Sequence, residues 1–327
     1  MRAPIRIGLA GLGIHGVRYA THLLRGDVPG AMLAAVSRRD EGAGREFALR
    51  HGLLYVRDPC ELATLSGIDA VALVLPPHLH AAAALECLEA GRAVLVEKPL
   101  ASDTPSAAAL SARTAATGTL LMVAHTLRFD PVVLAIRREA MELGPLRIVA
   151  ITQRFEPSPR AWLDEPGQGG CILNTGVHGF DLLRFLTGAE PVTIQAEAGC
   201  VVTRRKEDQF VAAIRLEPGA ILATIDNART TLARSGRIEV VGEMGCVRGD
   251  HIHRTLFRGE KGGEHDLGRL PAVPTVVEAL GAFTRALVDG KPPPITVDDG
   301  LAAVAMADAA LLSARLGRRV SLDEVRG

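Results

Sequence analysis

Asn174 and His178 are the pair of polar residues whose types and spacing best suit proton transfer. They lie four residues apart in a segment, 169–181, that begins glycine-rich and becomes helical in period. On a helix this spacing places both side chains on one face, where both can meet one ligand. Because an imidazole titrates near neutrality, His178 is the best candidate for a general base that accepts a hydroxyl proton.

Lys98 is the second candidate. The run Val94-Leu95-Val96-Glu97-Lys98-Pro99 ends a predicted buried strand, and ligands of an open α/β sheet bind outside the carboxyl ends of its strands. An ammonium group there can stabilise negative charge that develops on a substrate oxygen. The ordinary alternative is a surface lysine paired with its neighbour Glu97.

A glycine motif near the start of the chain predicts a dinucleotide site. Gly11-Leu12-Gly13-Ile14-His15-Gly16 directly follows a predicted strand, Ile5–Ala10, and opens a predicted helix. Gly11 permits the tight turn, Gly13 lets the backbone approach a pyrophosphate, and Gly16 lets the helix pack closely on the strand. The helix N-terminus then presents N–H donors to the phosphates.

The end of the second predicted strand bears on the choice of cofactor. An Asp or Glu there usually binds a free ribose 2′-hydroxyl, but this chain has Ser37-Arg38-Arg39. A hydroxyl and two guanidinium groups can hold a 2′-phosphate, which favours NADP over NAD. The alternative is that the arginines form a solvated turn and that Asp40 binds the ribose.

The elements that must position these residues predict two domains. From Ile5 to about Val123, short apolar runs alternate with stretches of helical period, which is typical of a doubly wound parallel sheet. After Asp130 comes a helix and then consecutive strand-like runs, including a hairpin around Glu217-Pro218-Gly219, so this sheet should be mostly antiparallel. We therefore expect an α/β protein, with a Rossmann domain over residues 1–124 and an α+β domain with a large open sheet over residues 125–327.

Composition excludes several classes of protein. The chain has 327 residues, with 37 Lys and Arg against 37 Asp and Glu, and only 3% aromatic residues, so neither nucleic acid nor an anionic membrane is an expected partner. The longest uncharged run, residues 70–85, is 16 residues and too short for a membrane helix. Five scattered cysteines suit a reducing compartment and predict a cytoplasmic protein.

Two histidine pairs raise the question of a metal. His251-Ile252-His253 would place two imidazoles on one face of a strand, and His78-Leu79-His80 could do likewise. No carboxylate or cysteine stands at obvious ligand spacing beside either pair. We therefore predict no metal site.

Taken in order, these motifs resemble the Gfo/Idh/MocA oxidoreductase family over nearly the whole chain. The resemblance rests on the following segments: the glycine motif, Pro76–His80, Glu97–Pro99, Arg128-Phe129-Asp130-Pro131, the Gly-Gly…Gly-x-His-x-x-Asp stretch at 169–181, and Asp299-Gly300. It implies hydride exchange between a nicotinamide cofactor and a hydroxyl or keto carbon of a sugar, inositol or related polyol. It also implies a homodimer or homotetramer that forms through the open sheet.

The resemblance implies roles for individual residues. Lys98 and His178 would be catalytic, Asn174 would act beside them, and Pro99 would follow a cis peptide bond. The predicted cofactor-binding residues are Gly11, Gly13, Ile14, His15, Gly16, Ser37, Arg38, Arg39, Leu75, Pro76, His80, Glu97, Lys98 and Arg128. The predicted substrate contacts are His125, Trp162, Asn174 and His178.

The chain departs from the family pattern at two places. Leu75 and Pro77 replace the Thr and Asn of a common T-P-N motif, and Asn174 stands where many members have an aspartate that pairs with the lysine. An amide cannot hold negative charge or accept a proton there. The alternative function is therefore a regulator or sensor that has kept the dinucleotide site and lost turnover.

Overall fold

The computed structural model describes residues 3–157 and 169–326, which form two units. The first unit comprises Met1–Thr126 and Pro274–Leu301, and the second comprises Leu127–Val273 and Ala302–Gly327. The sequence predicted one continuous second domain over residues 125–327. The structure divides the chain differently, because the segment from Pro274 to Leu301 returns to the first unit.

The first unit is built on a six-stranded sheet whose strand pairs are all parallel. Its strands are β1 (Ile5–Ala10), β2 (Ala31–Ser37), β3 (Leu54–Val56), β4 (Ala70–Leu73), β5 (Ala93–Glu97) and β6 (Leu121–Ala124). The order β3-β2-β1-β4-β5-β6 reverses direction between β1 and β4. Every residue of β4, β5 and β6 is buried, as expected for a sheet covered by helices on both faces. This confirms the predicted Rossmann architecture, with β3 as a short strand that the sequence analysis did not predict.

The helices that follow these strands begin and end with ordinary local signals. They are α1 (Ile14–Arg25), α2 (Glu41–His51), α3 (Pro77–Glu89) and α4 (Thr104–Thr117). Asp40 and Asp103 cap α2 and α4 through side-chain oxygens, and Gly26, Gly52 and Gly118 end α1, α2 and α4 in the left-handed conformation. Helix α7 (Thr275–Asp289), which comes late in the chain, packs against α1, β5 and β6.

The second unit carries a nine-stranded sheet. Its strands are β7 (Leu146–Arg154), β8 (Glu190–Gly199), β9 (Gln209–Glu217), β10 (Ile221–Ala228), β11 (Ser235–Gly242), β12 (Gly245–Asp250), β13 (Thr255–Glu260), β14 (Gly263–Arg269) and β15 (Val320–Ser321). Their order across the sheet is β14-β13-β12-β11-β7-β10-β9-β8-β15. All pairs are antiparallel except β7 with β10, which confirms a mostly antiparallel sheet.

Helices cover one face of this sheet. They are α5 (Pro131–Ala140), α6 (Val177–Thr187) and, from Ala302 onward, α8 (Val297–Leu316), while α9 (Asp323–Arg326) is a short terminal turn. Core residues alternate with outward ones along β9 and β10, so each strand buries one face. Ile148, Val211 and Leu222 lie on the outward face and are exposed. Within the described ranges, no helix is both long and apolar enough to cross a membrane.

Candidate active site

The loop between β1 and α1 has the form that a phosphate-binding turn requires. Gly11 has a φ of 92°. A Cβ there would collide with the carbonyl oxygen of Val74, and a Cβ at Gly16 would collide with that of Gly11. In the described structure, nothing lies within 4 Å of a Cβ built at Gly13. The backbone at Gly13 is therefore open, and no side chain caps the first N–H groups of α1, which leaves them for an anion.

Glu97 joins this loop to the end of β5. Its Oε1 lies 2.7 Å from His15 Nε2 and accepts a hydrogen bond of 2.7 Å from the Tyr19 hydroxyl, while its Oε2 accepts one from the Lys98 backbone N–H at 3.0 Å. Burial alone would raise the pKa of Glu97, but hydrogen bonding to His15 and the charge of Lys98 lower it to about 2. Burial and the nearby Glu97 carboxylate raise the pKa of Tyr19. His15 and Glu97 were predicted to contact the cofactor; the structure joins them in one hydrogen-bond network, and their contact with a cofactor stays a prediction.

His80 braces the loops that follow β4 and β5. Its Nδ1 lies 2.7 Å from the carbonyl oxygen of Pro99, and its Nε2 lies 2.8 Å from that of Leu75. A neutral imidazole can donate to one of these oxygens and a doubly protonated ring to both. Burial lowers the pKa of His80, against the effect of the two carbonyl oxygens and of Glu97. His80 is 0% exposed and both ring nitrogens face backbone oxygens, so almost no surface of the ring is available for the predicted contact with a cofactor, which stays a prediction.

The other strand ends of this sheet place predicted residues along the same edge. Leu75 and Pro76 follow β4 and are half-buried. Lys98 follows β5 and is also half-buried, and the peptide bond between Lys98 and Pro99 is cis, as predicted. His125 follows β6 and is only 1% exposed. Contact of its ring with a substrate stays a prediction, and almost no surface of this residue is available for it.

Ser37 ends β2, and Arg38, Arg39 and Asp40 lead into α2. The Ser37 hydroxyl is buried and, within the part of the chain that the structure describes, has no hydrogen-bond partner. Arg38 is half-buried, and its carbonyl oxygen accepts the Tyr55 hydroxyl at 2.9 Å, whereas Arg39 is exposed. Asp40 uses its carboxylate to cap α2, with Oδ1 3.1 Å from the Ala43 nitrogen. This local hydrogen bond counts against Asp40 as the ribose ligand.

In the second unit, the segment that carries Asn174 and His178 is a π-helix that continues into an α-helix. The π-helix spans Ile172–Gly176 and α6 begins at Val177. In Cys171–Phe180 every residue is buried except Asn174 and His178, so these two share the accessible side, as their spacing predicted. The sequence predicted an ordinary helix here. The wider π turn is the difference, and such turns are frequent at functional sites.

Asn174 hydrogen bonds to the glycine turn before the π-helix. Its Nδ2 donates to the carbonyl oxygen of Gly169 at 2.7 Å and to that of Gly170 at 3.1 Å. Gly169 has a φ of 69°, which a glycine adopts at little cost. The amide of Asn174 is therefore used as a donor to the backbone.

Arg128 forms a buried ion pair with Asp181, one turn beyond His178 on α6. Its Nε lies 2.9 Å from Oδ2 and its Nη2 lies 2.5 Å from Oδ1 of the carboxylate. The guanidinium also lies over the Phe185 ring, with 5.1 Å between its carbon and the ring centroid. Arg128 was predicted to contact the cofactor; the structure shows it holding α6, and a cofactor contact stays a prediction.

One predicted substrate contact, Trp162, lies outside the described residues. His251 and His253 lie in the turn between β12 and β13 and not on a strand, so the strand geometry considered for a metal is wrong. Among residues 3–157 and 169–326, no group of three or more His, Cys, Asp or Glu residues could hold a metal. The sequence analysis missed Tyr19, four residues after His15, and included Asp181, three after His178, only as part of the family motif and without a role; helical spacing was the available signal for both.

Comparisons with known proteins cover both units. The family description "Oxidoreductase family, NAD-binding Rossmann fold" matches residues 5–125, and "GFO/IDH/MocA C-terminal domain" matches residues 137–248. Inositol 2-dehydrogenase 1 of Saccharopolyspora erythraea is 30% identical over 98% of this chain and 96% of its own. The scyllo-inositol 2-dehydrogenase (NAD(+)) of Bacillus subtilis is 28% identical over 100% and 98%.

A solved structure agrees with these matches. The crystal structure of a probable dehydrogenase from Thermotoga maritima superposes with a TM-score of 0.84 at 28% identity and covers 98% of this chain and 99% of that one. Together with the glycine loop, the strand-end lysine and the helix that carries His178, these matches show that the chain belongs to the Gfo/Idh/MocA family of NAD-binding oxidoreductases.

Proposed function

We propose that this protein exchanges hydride between a nicotinamide cofactor and a hydroxyl-bearing carbon of an inositol, sugar or related polyol. The observation that carries the proposal is the match, over nearly the full length of both chains, to relatives named inositol dehydrogenases. Those names specify a secondary alcohol on a ring as the substrate of the relatives. We propose the same class of substrate for this chain.

The first unit has the groups that a dinucleotide needs. The open backbone at Gly13 and the uncapped start of α1 fit a pyrophosphate, and the exposed Ile14 side chain lies beside them. When bound, a nicotinamide cofactor supplies the carbon that takes up or releases hydride. The protein's part is to orient the two carbons and to move the hydroxyl proton.

We assign the proton to His178 and the oxygen to Lys98. The imidazole of His178 accepts the hydroxyl proton as hydride leaves the same carbon, and the ammonium of Lys98 stabilises the negative charge on that oxygen. In the reverse direction His178 returns the proton. Asn174 lies beside His178 on the accessible side of its helix and contributes to the substrate site.

We propose NADP as the preferred cofactor, although the Bacillus subtilis relative is named for NAD(+). The Ser37 hydroxyl and the guanidinium groups of Arg38 and Arg39 offer hydrogen bonds to a 2′-phosphate, and Asp40 is engaged as a helix cap.

Arg38→Ala should weaken NADPH binding about 10- to 100-fold and leave NADH within about 3-fold. Arg50→Ala, an exposed arginine of α2 paired with Glu46, is the matched control. Equal losses for both cofactors would contradict the assignment.

The deciding experiment is a calorimetric titration with NADPH and NADH, followed by a panel of inositols, sugars and their keto forms while nicotinamide absorbance is recorded. Cofactor binding with an absorbance change that depends on one substrate class would support the dehydrogenase. Binding without change across the panel would contradict it and favour a dinucleotide-binding regulator.

We further propose that two copies of the chain associate through the outward face of the nine-stranded sheet. Ile148 and Leu222 are paired neighbours in β7 and β10, and both are about half exposed, with Val211 on the adjacent strand. Leu222→Glu should convert the assembly to monomers in sedimentation equilibrium, while Leu49→Glu, an exposed leucine of α2, should leave it unchanged.

A further inference from the structure

The π-helix that precedes His178 begins with N–H groups that a distant loop satisfies. Glu207 lies between β8 and β9, and its backbone oxygen accepts the Cys171 N–H at 2.8 Å. Its side-chain Oε1 accepts the Ile172 N–H at 3.1 Å. The first N–H groups of a helix have no partner within the helix. Glu207 therefore serves as a cap that another part of the chain supplies.

Gly170 makes room for this cap. A Cβ at Gly170 would collide with the carboxyl carbon and both carboxyl oxygens of Glu207. Burial raises the pKa of Glu207, against the hydrogen bond from Ile172 and the charge of Lys206. The carboxyl group thus lies against the glycine turn and is largely removed from water.

Asn174 holds the same turn through its amide nitrogen, which donates to the carbonyl oxygens of Gly169 and Gly170. A carboxylate at this position has no N–H and would direct negative charge at two backbone oxygens. In this chain the amide therefore suits the turn better than a carboxylate would. Asn174 and Glu207 contact the turn through opposite hydrogen-bonding roles, one as donor and the other as acceptor.

We infer that Glu207 and Asn174 are positioning residues that fix the π-helix and thereby place His178. This inference rests on the proposed role of His178 as the base. Since His178 follows the π-helix by two residues on a continuous helix, a shift of the turn moves the imidazole. A displacement of about 1 Å in a reacting group can cost about 100-fold in rate.

Glu207→Ala and Glu207→Gln test the cap. Alanine removes the acceptor of the Ile172 N–H, whereas glutamine keeps a carbonyl oxygen in its place. We expect kcat to fall about 10- to 100-fold in the alanine variant, with KM for the cofactor unchanged, and to return to within about 3-fold in the glutamine variant. Glu197→Ala, on the exposed side of β8, is the control. A glutamine variant as slow as the alanine variant would overturn the capping role.

Hydrogen–deuterium exchange gives a readout that needs no substrate. Glu207→Ala should accelerate exchange in peptides that cover residues 169–180, and unchanged exchange there would overturn the inference.

Asn174→Asp should lower kcat about 10- to 100-fold, because the turn loses the two hydrogen bonds that the side-chain amide donates to it. A kcat equal to or above that of the parent would overturn the role of Asn174.

Measurements on His178→Asn beside these variants separate the proposed role of His178 as the base from the positioning role of Glu207. If His178→Asn abolishes turnover and Glu207→Ala leaves kcat and exchange unchanged, only the positioning inference fails. If His178→Asn retains turnover, the proposed role of His178 fails, and with it the inference about its placement.

Discussion

Each of the two candidate regions contains a buried carboxylate, and the two carboxylates have different kinds of hydrogen-bond partner. Glu97, in the first unit, has a ring nitrogen, a phenol and a backbone N–H around it. Asp181, in the second, receives the bidentate guanidinium of Arg128. Several hydrogen-bond donors share the first carboxylate, so the loss of one leaves the others. Removal of either member of the second pair takes the bidentate ion pair away from a charge that stays buried.

The difference follows from the architecture around each carboxylate. Parallel strands end at one edge of a sheet, so β1, β4 and β5 bring the glycine loop, Leu75 and Glu97 to that edge, and hydrogen bonds of Glu97 and His80 then link the loops there. A helix on an antiparallel sheet has no such edge. Its orientation depends on specific contacts, here the Arg128–Asp181 pair and the Glu207 cap.

The largest expected effect is the loss of the charge pair. Asp181→Asn should lower the free energy of unfolding by about 3–5 kcal/mol, because Arg128 stays buried and charged. Urea denaturation measures this difference. Glu190→Gln, which breaks the partly exposed Arg184–Glu190 pair at the other end of α6, should cost about 1 kcal/mol or less.

Removing both charges of the pair sharpens the same point. The double variant Arg128→Met with Asp181→Leu should recover most of the lost stability, since well-packed apolar side chains often replace a buried ion pair without loss. A double variant as unstable as Asp181→Asn would show that packing at this site, and not charge pairing, sets its stability.

Lys98→Met tests the strand end in the first unit. Turnover should fall about 100- to 1,000-fold while cofactor affinity changes only a few-fold, because a group that stabilises developing charge acts mainly in the transition state. Lys261→Met, an exposed lysine between β13 and β14, is the control. Near-normal turnover in the Lys98 variant would end its assignment as the oxyanion-stabilising residue.

Acid pH should weaken the contacts of Glu97 in the first unit. The pKa of Glu97 is lowered from 4.5 to about 2 in the folded protein, so its contribution is complete above pH 4.5 and is lost as the pH falls toward 2. The loss should reach about 3 kcal/mol in unfolding free energy. Glu97→Gln should flatten this part of the stability profile between pH 5 and pH 2. An unchanged slope would mean that Glu97 is not the carboxylate responsible.

The sequence predicted the first region better than the second, for a physical reason. The glycine motif and the strand ends are local patterns, and a parallel sheet converts their order along the chain into proximity. The helical period of Thr275–Asp289 shows that one face is buried, but it cannot show that this face packs against β5 and β6. Glu207 stands at no helical or strand spacing from Asn174, so nothing local indicated their common contact with one turn.

The smallest effect is expected from His80, and His78 in the same helical turn is its matched control. Both lie in the first turn of α3, yet His80 is fully buried between two carbonyl oxygens and His78 is exposed. His80→Leu should lower the unfolding free energy by about 1–3 kcal/mol, since it leaves buried backbone acceptors unsatisfied, and should reduce kcat because Pro99 adjoins Lys98. His78→Leu should stay within about 0.5 kcal/mol. Equal effects from both substitutions would show that the edge of the parallel sheet places Lys98 without this brace.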